Sequence, residues 1–431
     1  MQSTATDKTT SRGYTRLVLA SCFGTAIEWY DFFIYAFLAP LVFDKLFFPK
    51  LDPKVGTIAV FATFAVGFIA RPLGGIVFGH YGDRIGRKSI LLVTLLLMGV
   101  ATTLIGLLPT YEQVGILAPI ALVVLRFLQG FALGGESIGA LLLTVEGSPQ
   151  SRRGFFGSLV YAAGPFSIVM ATLAVSLVSR LPEADLLSWG WRVPFVISIV
   201  LVAVGLYVRL KVEESASFAK IAAKREVVRI PMLEVFRHFP RPTMITLLVC
   251  LAETAFFYLT AIFALSYGTR TLGMPRPLLA DALLYANCLA FLTVPMFGAL
   301  SDRVGRKPVF MSGVIATMIY IYPFFLLLGT KDPALVTLAI VFAAGLIHPL
   351  MFGPEGSFFA EQFETRVRFS GVSFGKQVGT VLGGGLAPLI ASALLLKFDN
   401  SFVPIVIYFL ILATIALIAT IAATETRHRT I

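Results

Sequence analysis

Charge is scarce in this chain. Asp, Glu, Lys and Arg make up 14% of its 431 residues, against about a quarter in a soluble domain. Without that polar cover the chain does not read as a water-soluble globule. Cysteine is scarcer still: Cys22, Cys250 and Cys288 stand singly in apolar stretches. They have neither zinc-site spacing nor the even count of a disulfide framework, so they read as small packing residues. Long polar segments are missing too. The longest gap between apolar stretches is 211–242, too short for a soluble domain. No nucleophile–base or metal-ligand constellation stands out, which argues against an enzyme.

What fills the chain is hydrophobic sequence: 57% of residues, with a mean hydropathy of +0.86. A helix crosses a hydrocarbon core with about 20 apolar residues. Twelve stretches qualify, near 17–40, 56–80, 88–108, 116–145, 153–179, 189–210, 243–269, 277–300, 308–328, 333–361, 367–396 and 401–423. The first is too long for a cleavable signal and carries Glu28 and Asp31, so it is expected to stay as the first span. The net charge of +11 is not a nucleic-acid signal. Placing the N-terminus inside puts most Lys and Arg in cytoplasmic segments, the positive-inside pattern, so both termini are expected to be cytoplasmic. The run KREVVR at 224–229 is expected on the inner leaflet, with membrane lipids as partners.

One signal occurs twice. GHYGDRIGRK starts at Gly79 and GALSDRVGRK at Gly298, so Asp83 and Asp302 stand 219 residues apart. GGE at 134–136 and GPE at 353–355 repeat at the same offset, and RRG at 152–154 loosely matches FSG at 369–371. The chain therefore divides into two similar membrane halves, 1–210 and 243–431, joined by a linker at 211–242. Internal repeats with a site between them are a transporter architecture. Asp83 and Asp302 can cap a helix terminus or meet an arginine of the other half. Arg84, Arg87, Arg303 and Arg306 can pin helix ends or lipid phosphates, while Gly79 and Gly86 permit tight turns and close backbone approach. These residues form the expected cytoplasmic gate.

Ionisable residues inside spans are costly and mark function. Gly24, Glu28, Asp31 and Tyr35 share one helix face; Arg126, Gln129, Leu133 and Glu136 share another. By helical rise, Asp31 lies about 21 Å from the cytoplasmic end of its helix and Arg126 about 24–28 Å from the matching end of its own. They are expected to pair there. Glu28, Arg71 and Glu136 form a shallower layer. A carboxylate losing an Arg partner in low dielectric takes up a proton, which makes Asp31, Arg126, Glu28 and Glu136 the proton-coupling candidates. The second half supplies Glu253, His348, Glu355 and Lys376. Glu253 and Lys376 lie at matching depth and either neutralise each other or bind an anion. His348 either binds substrate, relays a proton or makes a helix–helix hydrogen bond. Tyr35, Tyr161 and Tyr258 are candidate cavity-lining aromatics. The run VLGGGLAP at 381–388 permits close packing or a bend.

The repeated loop resembles the signature of the major facilitator superfamily, and RFLQG at 126–130 resembles its fourth-helix motif. GTAIEWYDFFIYA from Gly24, ARPLGGIVFGH from Ala70 and GFALGGESIGALLL from Gly130 are similar to the metabolite:proton symporter branch, which includes permeases for shikimate, 2-oxoglutarate, citrate and proline/betaine. FATFAVGF at 61–68 and LSWGWRVPF at 187–195 look most like the shikimate type. The resemblance implies an all-α membrane protein of twelve transmembrane helices in two six-helix bundles in the bacterial inner membrane. It implies proton-driven import, with Asp31 and Arg126 in the coupling region and Asp83 and Arg87 stabilising the outward-facing state. Lys376-Gln377 departs from the Tyr-Gln common in related permeases, and an added lysine favours a more anionic substrate.

The expected function is proton-coupled import of a small organic anion by a monomer, with protons as coupling ion and no cofactor. Substrate contacts are assigned to Arg126, Lys376, Tyr35, Gln129, Arg71, Glu253, Tyr258, His348, Tyr161 and Gln377. Import of a zwitterion such as betaine or proline is the alternative. Drug efflux ranks below both, because Gly164-Pro165 is a poor match to the exporters' fifth-helix motif.

Overall fold

The computed structural model describes residues 4–50, 53–211 and 230–429. Among these it is helical throughout, with no strand. The long helices are α1 (Thr4–Phe47), α2 (Pro53–Ile85), α3 (Arg87–Leu107), α4 (Leu117–Gly147), α5 (Arg153–Val178) and α6 (Arg192–Leu210). They continue as α7 (Pro240–Thr271), α8 (Arg276–Val304), α9 (Arg306–Gly329), α10 (Pro333–Ala360), α11 (Arg368–Lys397) and α12 (Val403–Ala422). Ten helices among the described residues are long and apolar enough to cross a membrane, and eleven if α1 is counted through its bend. That bend, 70° between Ser21–Ala39 and Leu41–Phe47, falls at Pro40 in the sequence, a residue with no backbone N–H to donate. Most of the expected linker, including KREVVR, lies outside the described residues.

Packing repeats as the sequence does. In the first half α1 lies on α5, α2 on α4 and α3 on α6; in the second α7 lies on α11, α8 on α10 and α9 on α12. The halves meet where α2 packs on α11 and α5 on α8. One large buried apolar cluster draws on residues 30–195, another mainly on 245–423. Large apolar side chains such as Ile116, Leu292, Ile319, Leu389 and Ile418 remain exposed, as helices facing lipid require.

Glycine sets the closeness of the seam. A Cβ on Gly154 would sit 2.4 Å from the Gly298 carbonyl oxygen, and one on Gly298 would sit 2.5 Å from that of Gly154. At Gly79 a Cβ would meet the Ser370 backbone at 3.0 Å. Gly86 (φ 105°) and Gly305 (φ 123°) turn the chain at equivalent places in the two repeats, a conformation that disfavours a side chain.

Candidate transport site and gate

At the repeated loops the two halves clasp each other reciprocally. Asp83 accepts hydrogen bonds from the backbone N–H groups of Phe369 (3.2 Å) and Ser370 (2.9 Å), at the start of α11. Asp302 accepts from Gly154 and Phe155, both at 2.8 Å, at the start of α5. Each carboxylate thus caps a helix of the other half, where unsatisfied N–H groups and the helix dipole favour negative charge. Arg87 holds Asp83 at 3.2 Å, and Arg306 holds Asp302 at 2.7 Å. Arg84 and Arg303 are exposed on the same face, where they can reach lipid phosphates.

Two further acids complete the clasp and were not singled out from the sequence. Glu146 binds Arg87 (3.3 Å) and Arg368 (2.8 Å), with all three side chains fully buried. Glu361 binds Arg306 at 3.3 Å. The recurring signal is a Glu followed seven residues later by Arg: Glu146 and Arg153, then Glu361 and Arg368. This pairing corrects the expected match of 152–154 with 369–371. The true offset here is 215, because the connection before α11 is four residues shorter relative to the loop motifs.

The shallower layer has a further member, Arg209, that the sequence did not single out. Glu136 pairs not with Arg71 but with Arg209 of α6, and also accepts from the Thr94 hydroxyl. Arg209 donates its other nitrogen to the Leu91 carbonyl at 2.8 Å. Its guanidinium lies directly against Gly24, where a Cβ would come within 1.8 Å of it. Spacing along α1 could not reveal this, because the partner is 185 residues away. Gly24→Ala is expected to push Arg209 off Glu136 and cost about 1–3 kcal/mol. Thermal unfolding in detergent reads this; an unchanged midpoint would show that Arg209 has another seat. Glu28 is buried, and neither of its carboxyl oxygens has a hydrogen-bond partner among the described residues. The charges acting on it are Glu136, Arg209, Arg71 and Asp31.

The expected Asp31–Arg126 ion pair is also corrected. Both side chains are buried, but no ion pair joins them among the described residues. Asp31 accepts from the Ser198 hydroxyl at 2.5 Å. The Arg126 guanidinium lies over the Tyr35 ring, 3.8 Å from its centroid, and donates to Gln129 at 2.7 Å. A ring face and an amide oxygen are both suited to a weakly hydrated guanidinium. Gln129 donates in turn to the Thr102 hydroxyl at 2.6 Å, and that hydroxyl donates to the Met98 carbonyl at 2.9 Å. Tyr35 bonds Thr63 through its hydroxyl.

Arg71 reaches across the seam. Its Nε donates to Gln377 at 3.2 Å, and Gln377 donates in turn to the Gly134 carbonyl at 3.2 Å. Its guanidinium lies 5.5 Å from the Phe68 ring centroid, and Tyr258 meets Phe68 edge-on at 5.8 Å. The second half carries one connected cluster. Glu253 is bound by both His348 (2.8 Å) and Lys376 (3.0 Å), and Lys376 also pairs with Glu355. The structure thus brings Glu253 and Lys376 into contact and makes His348 a helix–helix partner. Tyr161, from the first half, stacks on Phe352 at 4.5 Å. The helices carrying this cluster contain widened π turns, at Tyr258–Phe263, Ala343–Ile347 and Val381–Gly385, which often mark functional segments. The last falls in the run VLGGGLAP, where a Cβ on Gly383 would meet Thr254 at 2.5 Å.

A helical repeat protein with buried charge along its central seam and a lipid-suited exterior is a multi-pass membrane transporter. The Major Facilitator Superfamily profile matches residues 21–375, and the chain belongs to that family. It is 41% identical over 401 residues to the shikimate transporter of Escherichia coli (strain K12), covering 92% of this chain and 91% of the relative. It is 39% identical over 445 residues to the inner membrane metabolite transport protein YhjE of the same organism, covering 100% of both chains. The fold matches the proton:xylose symporter XylE bound to 6-bromo-6-deoxy-D-glucose, with a TM-score of 0.79 at 15% identity over 96% of this chain and 97% of that one. Its relatives place the chain in the bacterial inner membrane as a transporter, not an enzyme.

Proposed function

We propose that the protein is a proton-coupled symporter that imports a small organic acid by alternating access. Twelve spans arranged as bundles 1–210 and 243–431, the linker 211–242 and cytoplasmic termini belong to this reading. The observation that carries it is the set of cations buried inside the bundle. Arg71, Arg126 and Lys376 are all enclosed, and Arg71 spans the seam to Gln377. Buried cations in low dielectric attract one or two carboxylates. Such anions accumulate against a negative-inside potential only if cations accompany them, and Asp31, Glu28 and Glu136 are among the buried acids placed to carry protons. The clasped loops describe the state closed on their own face.

The test is uptake into proteoliposomes with an acidic exterior, using shikimate, 2-oxoglutarate and citrate. Faster accumulation than without a gradient is expected for at least one. No gradient effect with any of them would refute proton-driven acid import. Displacement of the acid by betaine or proline in the same assay would favour the zwitterion reading.

A further inference from the structure

Lys376 is contested. Its ammonium binds Glu253 and Glu355 at once, and its side chain is 12% exposed, the least enclosed member of the cluster. The two acids are not held equally. Glu253 has a second donor, His348 at 2.8 Å, whereas the Glu355 carboxyl, fully buried on α10, has Lys376 as its one cationic partner among the described residues and lies against the Glu253 carboxyl. Tyr161 supplies an independent observation. It is buried and its hydroxyl has no hydrogen-bond partner among the described residues, and the charge acting on it most strongly is Glu355. An unpartnered hydroxyl beside a singly held carboxylate is a ready second seat for that group.

Resting on the organic-acid reading above, we propose that Lys376 is the substrate-carboxylate site and that Glu355 is the residue the substrate displaces, taking up a proton as it leaves. The groups facing Glu355 are Lys376 on α11, Glu253 and Cys250 on α7 and Tyr161 on α5, with His348 on its own helix reaching it through Glu253. One ammonium cannot hold three ionised carboxylates in a low-dielectric interior, so one of them must be neutralised. Glu253 keeps its place through His348. Glu355 therefore takes a proton from the solution on the open side and turns its new O–H to the Tyr161 hydroxyl oxygen. One negative charge enters with the substrate and one proton with it. On the opposite face the steps reverse: the acid leaves, Glu355 loses its proton and recaptures Lys376. Binding and protonation are then one event, and the ammonium is never left without a counter-ion.

The test is equilibrium binding of shikimate, 2-oxoglutarate and citrate to the full chain in detergent, by calorimetry in buffers of different ionisation enthalpy. For any acid that binds, proton uptake is expected, with Kd rising about tenfold per pH unit where free Glu355 is ionised. In E355Q that pH dependence should flatten and the calorimetric proton uptake fall by the same proton. Equal uptake in E355Q and the native protein would overturn the proposal while leaving symport intact. If none of the acids binds and none is driven by a pH gradient, the organic-acid reading itself fails. Should E355Q not fold, infrared difference spectra of the native protein and E355D decide. Acid binding should produce a protonated-carboxyl band that moves in E355D. No such band, or one unmoved, overturns the assignment.

Discussion

Glu146→Gln is expected to open the clasped face. Glu146 is the node where Arg87 of the first half meets Arg368 of the second, at 3.3 and 2.8 Å, with every partner fully buried. Removing the acid leaves Arg368 without an ionised partner among the described residues, while Arg87 keeps Asp83 at 3.2 Å. Breaking a buried ion pair by deleting one partner costs about 3–5 kcal/mol, or more than about a hundredfold in an equilibrium. That cost falls only on the closed arrangement, because the open one parts α2 from α11 and hydrates both arginines. A cysteine placed at Ser370, whose backbone N–H bonds Asp83, reports the opening on a background without the three native cysteines. Its labelling by a water-soluble maleimide should rise about a hundredfold with Glu146→Gln. Unchanged labelling would show that the capping aspartates alone hold the face shut. Glu361→Gln should have the smaller effect, since Arg306 keeps Asp302 at 2.7 Å.

Asp31→Asn is expected to take one proton out of the uptake cycle while leaving exchange of substrate across the membrane. The amide preserves the shape of the side chain and its bond to Ser198, but it cannot give up or take a proton. The change should also leave Arg126 on Tyr35 and Gln129 undisturbed, because no ion pair ties Arg126 to Asp31 in this state. In proteoliposomes, accumulation should fall by about tenfold per pH unit of imposed gradient, leaving the part carried by the Glu355 proton, while counterflow of labelled against unlabelled acid persists. A variant that still responds fully to the gradient would remove Asp31 from coupling and leave Glu355 as the main candidate.

The two variants probe different links. Glu146 acts on the balance between closed and open arrangements, and Asp31 on what must be bound before that balance can shift. A ligand moves an equilibrium only by its different affinity for the two states. The seam supplies that difference: Arg71 and Gln377 belong to opposite halves, so an anion held between them is held only while the halves are close.

Much of this molecule was legible in order along the chain. Apolar runs long enough to cross a bilayer marked the helices, because each must satisfy its own backbone where no water is available. The duplicated loop marked the clasp between the halves, because a turn between two spans needs glycine at a positive φ and charge at the interface; Gly86 and Gly305 make the turns, and Asp83 and Asp302 cap helices of the opposite half. Helical spacing also put Asp31 with Tyr35 and Arg126 with Gln129, since neighbours on one face are set by 3.6 residues per turn. Partners on different helices were another matter. Arg209 sits against Gly24 and on Glu136, Ser198 on Asp31 and Tyr161 beside Glu355. Depth along a helix axis cannot distinguish these from Arg71 or Arg126 at similar levels. Rotation about each axis and close approach at glycine choose among groups of like charge, and both come from side-chain packing between helices, which exists only once the bundle has assembled.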